Sequence, residues 1–251
     1  MLKLLLLLLK AAKLGPFLKT GVTMLISVGA YALIFGWWYA VGFVLLIFVH
    51  ELGHYLSARR CGLDVGAPTF IPFVGAWIEL KDQPLSVEQE ARIAFAGPFM
   101  GTAAATVVMW FAVQYQNQLL LALAYAGFFL NLFNLIPVTP FDGGRVVAIL
   151  SPRLWLLGAP ILAGVFLLIP SPMFLLILVL LAPTIWRGLK AAWHGTAPEE
   201  NPRYYQAPLE ARVRYAAYYL LLLAYLCSMT HLVHQRLQGS AGSATSPAVA
   251  T

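Results

Sequence analysis

Charge is what this sequence has least of. Only 10% of its 251 residues are Asp, Glu, Lys or Arg, against about 25% in an ordinary soluble domain. With 61% hydrophobic residues and a mean hydropathy of +0.79, too little polar surface is left to cover a water-soluble globule. So apolar a chain is not disordered over most of its length either, since it has too much to bury. Dense basic runs are missing as well. The net charge of +6 is spread thinly over 16 Lys and Arg against 10 Asp and Glu, which leaves no patch for a nucleic acid. Cysteine is confined to Cys61 and Cys227, with no CxxC, so neither a disulfide framework nor a thiolate metal site is implied. There is no internal repeat, and no small-residue cleavage site follows the leucine-rich start.

What the chain does have is apolar stretches of bilayer length, where about 20 helical residues cross the hydrocarbon. They fall at residues 22–36, 38–56, 93–113, 119–140, 154–169, 173–186 and 215–233, with a polar interval at 59–92. The fifth and sixth are short enough to be tilted or re-entrant. The pattern predicts an all-α polytopic membrane protein with about six to seven transmembrane helices. Lys3, Lys10 and Lys13 recur at helical spacing among leucines, so residues 1–20 read as an interfacial amphipathic segment. A membrane domain over 21–186 follows, then a loop at 187–210 and a C-terminal transmembrane helix at 211–237. The small polar tail at 238–251 is expected to be disordered.

The few cations are informative by position. If the N-terminus is placed inside and the spans alternate, every Lys and Arg except Arg236 falls on one side of the membrane. The opposite loops, Trp37-Trp38, 114–118 and 170–172, carry no charge. This positive-inside pattern predicts a cytoplasmic N-terminus, and it accounts for the net charge with the lipid bilayer as partner and no nucleic acid.

A charge within a span costs about 2.5–3.5 kcal/mol on insertion scales, so the acids at span ends need a reason. Glu51 lies in His50-Glu51-Leu52-Gly53-His54. Residues four apart on a helix share one face, so both imidazoles can reach one metal, and Glu51 is placed to take a proton from a metal-bound water. Two His and a water leave zinc one protein ligand short. Asp142, in Asn134-Leu-Ile-Pro137-Val-Thr-Pro140-Phe-Asp142-Gly143-Gly144-Arg145, is the candidate. Both segments run outward to inward. His54 precedes Arg59 and Asp142 precedes Arg145, so the two sit at similar depth. Pro137 and Pro140 break the helix, which frees Asp142 to turn toward the His pair. Taken alone, Asp142 also fits an Asx turn or helix cap before the two glycines. Asn134 begins the broken segment and reads as functional. Asn131 is open between a helix–helix hydrogen bond and a functional role. His194, His231 and His234 fall away from this site.

HExxH at the end of one span, together with Asn-x-x-Pro-x-x-Pro-x-Asp-Gly in a later one, resembles the site-2 protease family of intramembrane zinc metalloproteases. The match covers about residues 38–150. The resemblance implies Zn2+ held by His50, His54 and Asp142, Glu51 as general base, and a three-helix catalytic core. It also implies cleavage of a single-span partner's transmembrane segment to release a regulator, in a prokaryotic inner membrane, with substrate contact at Asn134. Two departures stand out: Phe141, where the family often has Leu, and Gly101, where some relatives have Asn. The rival reading is a catalytically silent scaffold of the same fold, and the intact Glu51 argues against it.

Residues 69–81 are rich in β-branched and aromatic side chains about Gly75, and they read as a short β-hairpin-like membrane-associated loop. Following the His pair on the inner side, this loop is open between pairing with an unwound substrate as an added strand and lying at the interface as an inert amphipathic hairpin.

Overall fold

The computed structural model describes residues 2–73, 75–77, 82, 84–168, 172–194 and 204–244. The chain runs through helix α1 (Leu2–Phe35), α2 (Trp37–Arg60), strands β1 (Thr69–Ile71) and β2 (Gly75–Trp77), α3 (Val87–Gln114) and α4 (Gln118–Asn134). A short α5 (Asp142–Val147) follows, then a 3-10 turn (Pro152–Leu157), α6 (Gly158–Leu168), α7 (Pro172–His194) and α8 (Leu209–Ala244). Among the described residues, four helical segments are long and apolar enough to cross a membrane: Leu18–Phe35, Trp37–Arg60, Val87–Gln114 and Leu209–Gly239. Shorter apolar helices lie at Gln118–Asn134 and Pro152–Leu168. The fold is therefore the expected all-α membrane architecture with one small two-stranded sheet.

Local chemistry sets most boundaries. Gly36 turns the chain between α1 and α2 at φ 82°, a region favourable only to glycine. The Ser86 hydroxyl accepts from Gln89 N at 3.2 Å to cap α3, and Glu88 and Glu90 complement its dipole. Asn117 caps α4 in the same way, accepting from Leu120 N at 3.0 Å. At its far end α4 stops at Asn134, ahead of Pro137 and Pro140, and the irregular stretch 135–141 leads to Asp142 as the first residue of α5. The carbonyl of Leu135, released by this break, accepts from the Tyr219 hydroxyl of α8 at 2.6 Å.

Helices α2, α3 and α4 form a three-helix unit, and α8 packs on α4. The approach of α2 to α3 is close because Gly53 has no side chain. A Cβ there would lie 2.3 Å from the Ala96 carbonyl oxygen. Without a hydrophobic drive between helices in lipid, small residues of this kind are what permit tight backbone packing.

The hairpin is antiparallel, with Phe70 opposite Ala76. Gly75 opens β2 rather than forming the turn, and residues 78–81 lie outside the described residues. The sheet sits against α2, with Phe70 and Ala76 in one apolar cluster with Val44, Ile47 and Leu130, about a turn before His50. Helix α1 covers the outer edge of β1. Phe70 N donates to Thr23 Oγ1 at 3.2 Å, Thr20 Oγ1 donates to the Pro68 carbonyl at 2.5 Å, and Phe73 N donates to the Tyr31 hydroxyl at 3.1 Å.

Three helix limits differ from the sequence expectation. Residues 2–20 and the first span are one unbroken helix. α7 continues past residue 186 to His194, through good helix formers such as Leu189, Lys190, Ala191 and Ala192. α8 continues past Gln238 to Ala244, because adding a residue to an established helix is far easier than starting one. The remaining tail, 245–251, lies outside the described residues.

Candidate metal centre

His50 and His54 are one turn apart on the face of α2 that meets α3 and α4, and both are buried. The break after α4 brings Asp142 to the same place. His50 Nε2 and His54 Nε2 are 3.1 Å apart, and Asp142 Oδ2 lies 3.2 Å from the first and 3.1 Å from the second. Among the described residues these three form the group of His and acidic side chains able to hold a metal ion. Glu51 supplies no atom to the cluster but is buried beside it on α2, 9% exposed.

The other ring nitrogens decide what this convergence means. His50 Nδ1 lies 2.8 Å from Asn131 Oδ1, and His54 Nδ1 lies 2.8 Å from the Ile93 carbonyl. Asn131 Nδ2 donates to the Gly127 carbonyl at 2.7 Å, which fixes the carboxamide with its oxygen toward His50. Both partners of the imidazoles are therefore acceptors, so each Nδ1 carries the ring proton and each Nε2 presents a lone pair. Two such lone pairs and a carboxylate oxygen then face one point in a buried site. One proton can serve only one of the three atoms, whereas a divalent cation satisfies them all. The spacing fits as well: N and O ligands at about 2.0–2.1 Å in a tetrahedron stand roughly 3.3 Å from one another. The donors present fit a small divalent metal with one open position.

Glycines make room for these ligands. A Cβ at Gly97 on α3 would stand 2.1 Å from His54 Nε2, and one at Gly101 would stand 2.3 Å from Asn131 Oδ1. Asp142 is anchored through its own helix, where Trp155 Nε1 donates to the Gly144 carbonyl at 2.8 Å.

Of the residues singled out from sequence, His50, His54 and Asp142 meet at one point, and Glu51 is adjacent. Asn134 is half-buried at the last turn of α4, with its amide donating to the Leu130 carbonyl at 3.0 Å. His231 and His234 lie exposed on α8, bonded to Gln235 and Gln238, away from the cluster. Asn131, open in the sequence, is the group that orients His50. Its signal was an amide in the middle of an apolar run. The Ile93 carbonyl had none, because any residue type supplies a backbone oxygen.

Sequence comparison with known proteins points the same way. The family model of peptidase family M50 matches residues 38–121, which include the His pair. A zinc metalloprotease of Methanocaldococcus jannaschii is 35% identical over 124 residues, 46% of this chain and 36% of that protein. Two relatives carry names as putative zinc metalloproteases. Rip3 of Mycobacterium tuberculosis is 32% identical over 133 residues, 48% of this chain and 34% of its own length. A second protein of M. jannaschii is 30% identical over 178 residues, 56% of this chain and 90% of its own length. The chain thus spans about a third of the first two relatives and nearly all of the last. A solved structure, the site-2 protease from M. jannaschii, is 24% identical with a TM-score of 0.42, covering 72% of this chain and 90% of that one.

The role of Asn131 is open to test. Asn131→Leu keeps the branched shape and the number of heavy atoms but leaves the His50 Nδ1 proton without an acceptor, and metal affinity should fall about 10- to 100-fold. Chelator competition on the purified protein measures this, and affinity equal to wild type would remove Asn131 from the role.

Proposed function

The chain belongs to the site-2 proteases, peptidase family M50, and from that premise we propose that it is a zinc-dependent intramembrane endopeptidase. The observation that carries the reading is the meeting of His50 Nε2, His54 Nε2 and Asp142 Oδ2 within 3.2 Å, with both Nδ1 protons already engaged elsewhere. The proposed catalytic unit is residues 38–150, within a membrane domain over 21–186. A cytoplasmic connection from α7 to α8 and a transmembrane helix at 211–237 complete the proposed organisation.

In this reading His50, His54 and Asp142 hold the metal. Zinc, when bound, supplies Lewis acidity, polarising a carbonyl oxygen and lowering the pKa of a water to about 7. Glu51 takes the proton of the attacking water on its carboxylate and passes it to the departing amide nitrogen. Burial of all four side chains keeps bulk water from the reacting bond. Asn131 and the Ile93 carbonyl hold the imidazoles in the tautomer that leaves both Nε2 atoms free. Asn134, where the helix gives way to irregular chain, is the residue we assign to hydrogen-bond the substrate backbone.

The substrate we infer is the transmembrane segment of a single-span protein whose cleavage frees a regulator. A helical peptide bond is shielded, so the segment must be locally extended to react. The hairpin offers one edge for it. Phe70 N faces α1, so Phe70 and Ala76 form a non-hydrogen-bonded pair, and the Ala76 N–H points away from β1. With the outer edge of β1 covered by α1, the added strand belongs on β2. The positive-inside pattern of the cations supports a cytoplasmic N-terminus, and the membrane we infer from the family resemblance is a prokaryotic inner one.

Three measurements test these readings. Glu51→Gln should keep its zinc while a single-span protein accumulates uncleaved in the mutant membranes, and His50→Ala or Asp142→Ala should lose zinc as well. Near-normal turnover by Glu51→Gln removes it from the base role. Ala76→Pro takes away the outward donor of β2 without touching a ligand. Zinc content should stay normal and cleavage of a transmembrane substrate should fall, and unchanged cleavage rules out pairing at this edge. Reporters fused after Arg60 and Arg153 should report the cytoplasm and one after Gln116 the opposite side. A cytoplasmic signal at Gln116 overturns the orientation.

A further inference from the structure

Each of the three ligand side chains leans on a second group, and the one behind Asp142 reaches furthest. Asp142 turns Oδ2 to the imidazoles, and its other oxygen, Oδ1, lies 3.9 Å from Arg145 Nη1. Arg145 is itself held. Its Nε donates to Glu90 Oε1 of α3 at 3.0 Å, and both side chains are 23% exposed. The remaining oxygen of Glu90 accepts from the hydroxyl of Tyr204, in the segment that enters α8. Tyr204 is buried, and its carbonyl accepts from Val87 N at 2.9 Å, at the start of α3. Each oxygen of Glu90 thus has its own donor, one from α5 and one from the approach to α8.

An arginine serving only as an inner-face cation would extend into the headgroup region and need no protein partner. Arg145 instead points along a line from Glu90 to Asp142. A carboxylate with one oxygen beside a guanidinium has the other committed to the metal. Released from that guanidinium, Asp142 is free to bind through both oxygens or to swing away. We propose that Glu90 and Arg145 are positioning residues for Asp142, with Tyr204 fixing Glu90, so that the segment leading into α8 helps to build the metal centre. The proposal rests on the metal-binding reading above. A neighbouring ion pair supplies an internal control. Arg214 Nη2 donates to Glu88 Oε1 at 2.7 Å, joining the same two elements, α3 and α8, without approaching Asp142.

The test uses the full chain in detergent micelles loaded with Co(II), reading both affinity by chelator competition and the visible ligand-field bands. Arg145→Gln and Glu90→Gln should each weaken binding about 10- to 100-fold and shift the bands alike. Tyr204→Phe should act in the same direction by less, and Arg145→Lys should recover part of the loss. The double variant Arg145→Gln/Glu90→Gln should be no worse than Arg145→Gln alone, because Glu90 acts through Arg145. Glu88→Gln should leave affinity and spectrum at wild-type values. Additive losses in the double variant, or an equal loss in Glu88→Gln, would show general tethering of α8 and overturn the proposal. Wild-type binding with an unaltered Glu90→Gln variant overturns it alone. A wild-type chain that binds no cobalt overturns the metal-binding reading and this proposal together.

Discussion

Three lone pairs brought to one buried point are the constraint around which this molecule is organised. Left without a cation they repel, and no water-filled surroundings screen them. Each feature of the core can be read as a condition for that meeting. The i, i+4 spacing on α2 supplies two of the atoms. The third arrives because α4 stops short of Pro137 and the chain re-enters a helix at Asp142. The bare backbone of Gly97 lies against one imidazole, where any side chain would occupy the ring's own position.

The supports of the ligands come from different elements. A backbone carbonyl of α3 holds His54, a carboxamide of α4 holds His50, and a guanidinium of α5 faces Asp142. A site tied to three neighbours at once responds to a shift in any of them, and low dielectric magnifies each link. The same arrangement explains why the helices approach so closely at Gly53. The 2.8 Å hydrogen bond from His54 Nδ1 on α2 to the Ile93 carbonyl of α3 tolerates little slack.

Much of the site was legible in the sequence because it rests on short-range rules. HExxH specifies its own geometry once it is on a helix, and Pro137 and Pro140 announce the break that releases Asp142. The inward run of cations after each motif puts His54 and Asp142 at one depth. Helix limits were harder. A helix that is apolar all round carries no phase from which an end can be read, and α1, α7 and α8 all run beyond the apolar windows. The hairpin was legible in its composition, but its turn was not, since Gly75 serves the strand. Long-range partners such as Glu90 and Tyr204 are 114 positions apart. No local pattern marks them, and Arg145 looked like one more inner-face cation.

The contact between Gly101 and Asn131 has a consequence for how this sequence can diverge. A single pocket of space between α3 and α4 holds one carboxamide, and here α4 provides it while α3 stays bare. The two positions therefore share one volume and cannot both be filled. A lineage in which residue 101 acquires an amide must first or simultaneously shrink residue 131, and the reverse exchange obeys the same order. The steric rule couples substitution at these two positions. That is how the Gly101 departure from the family pattern can coexist with an intact pair of histidines.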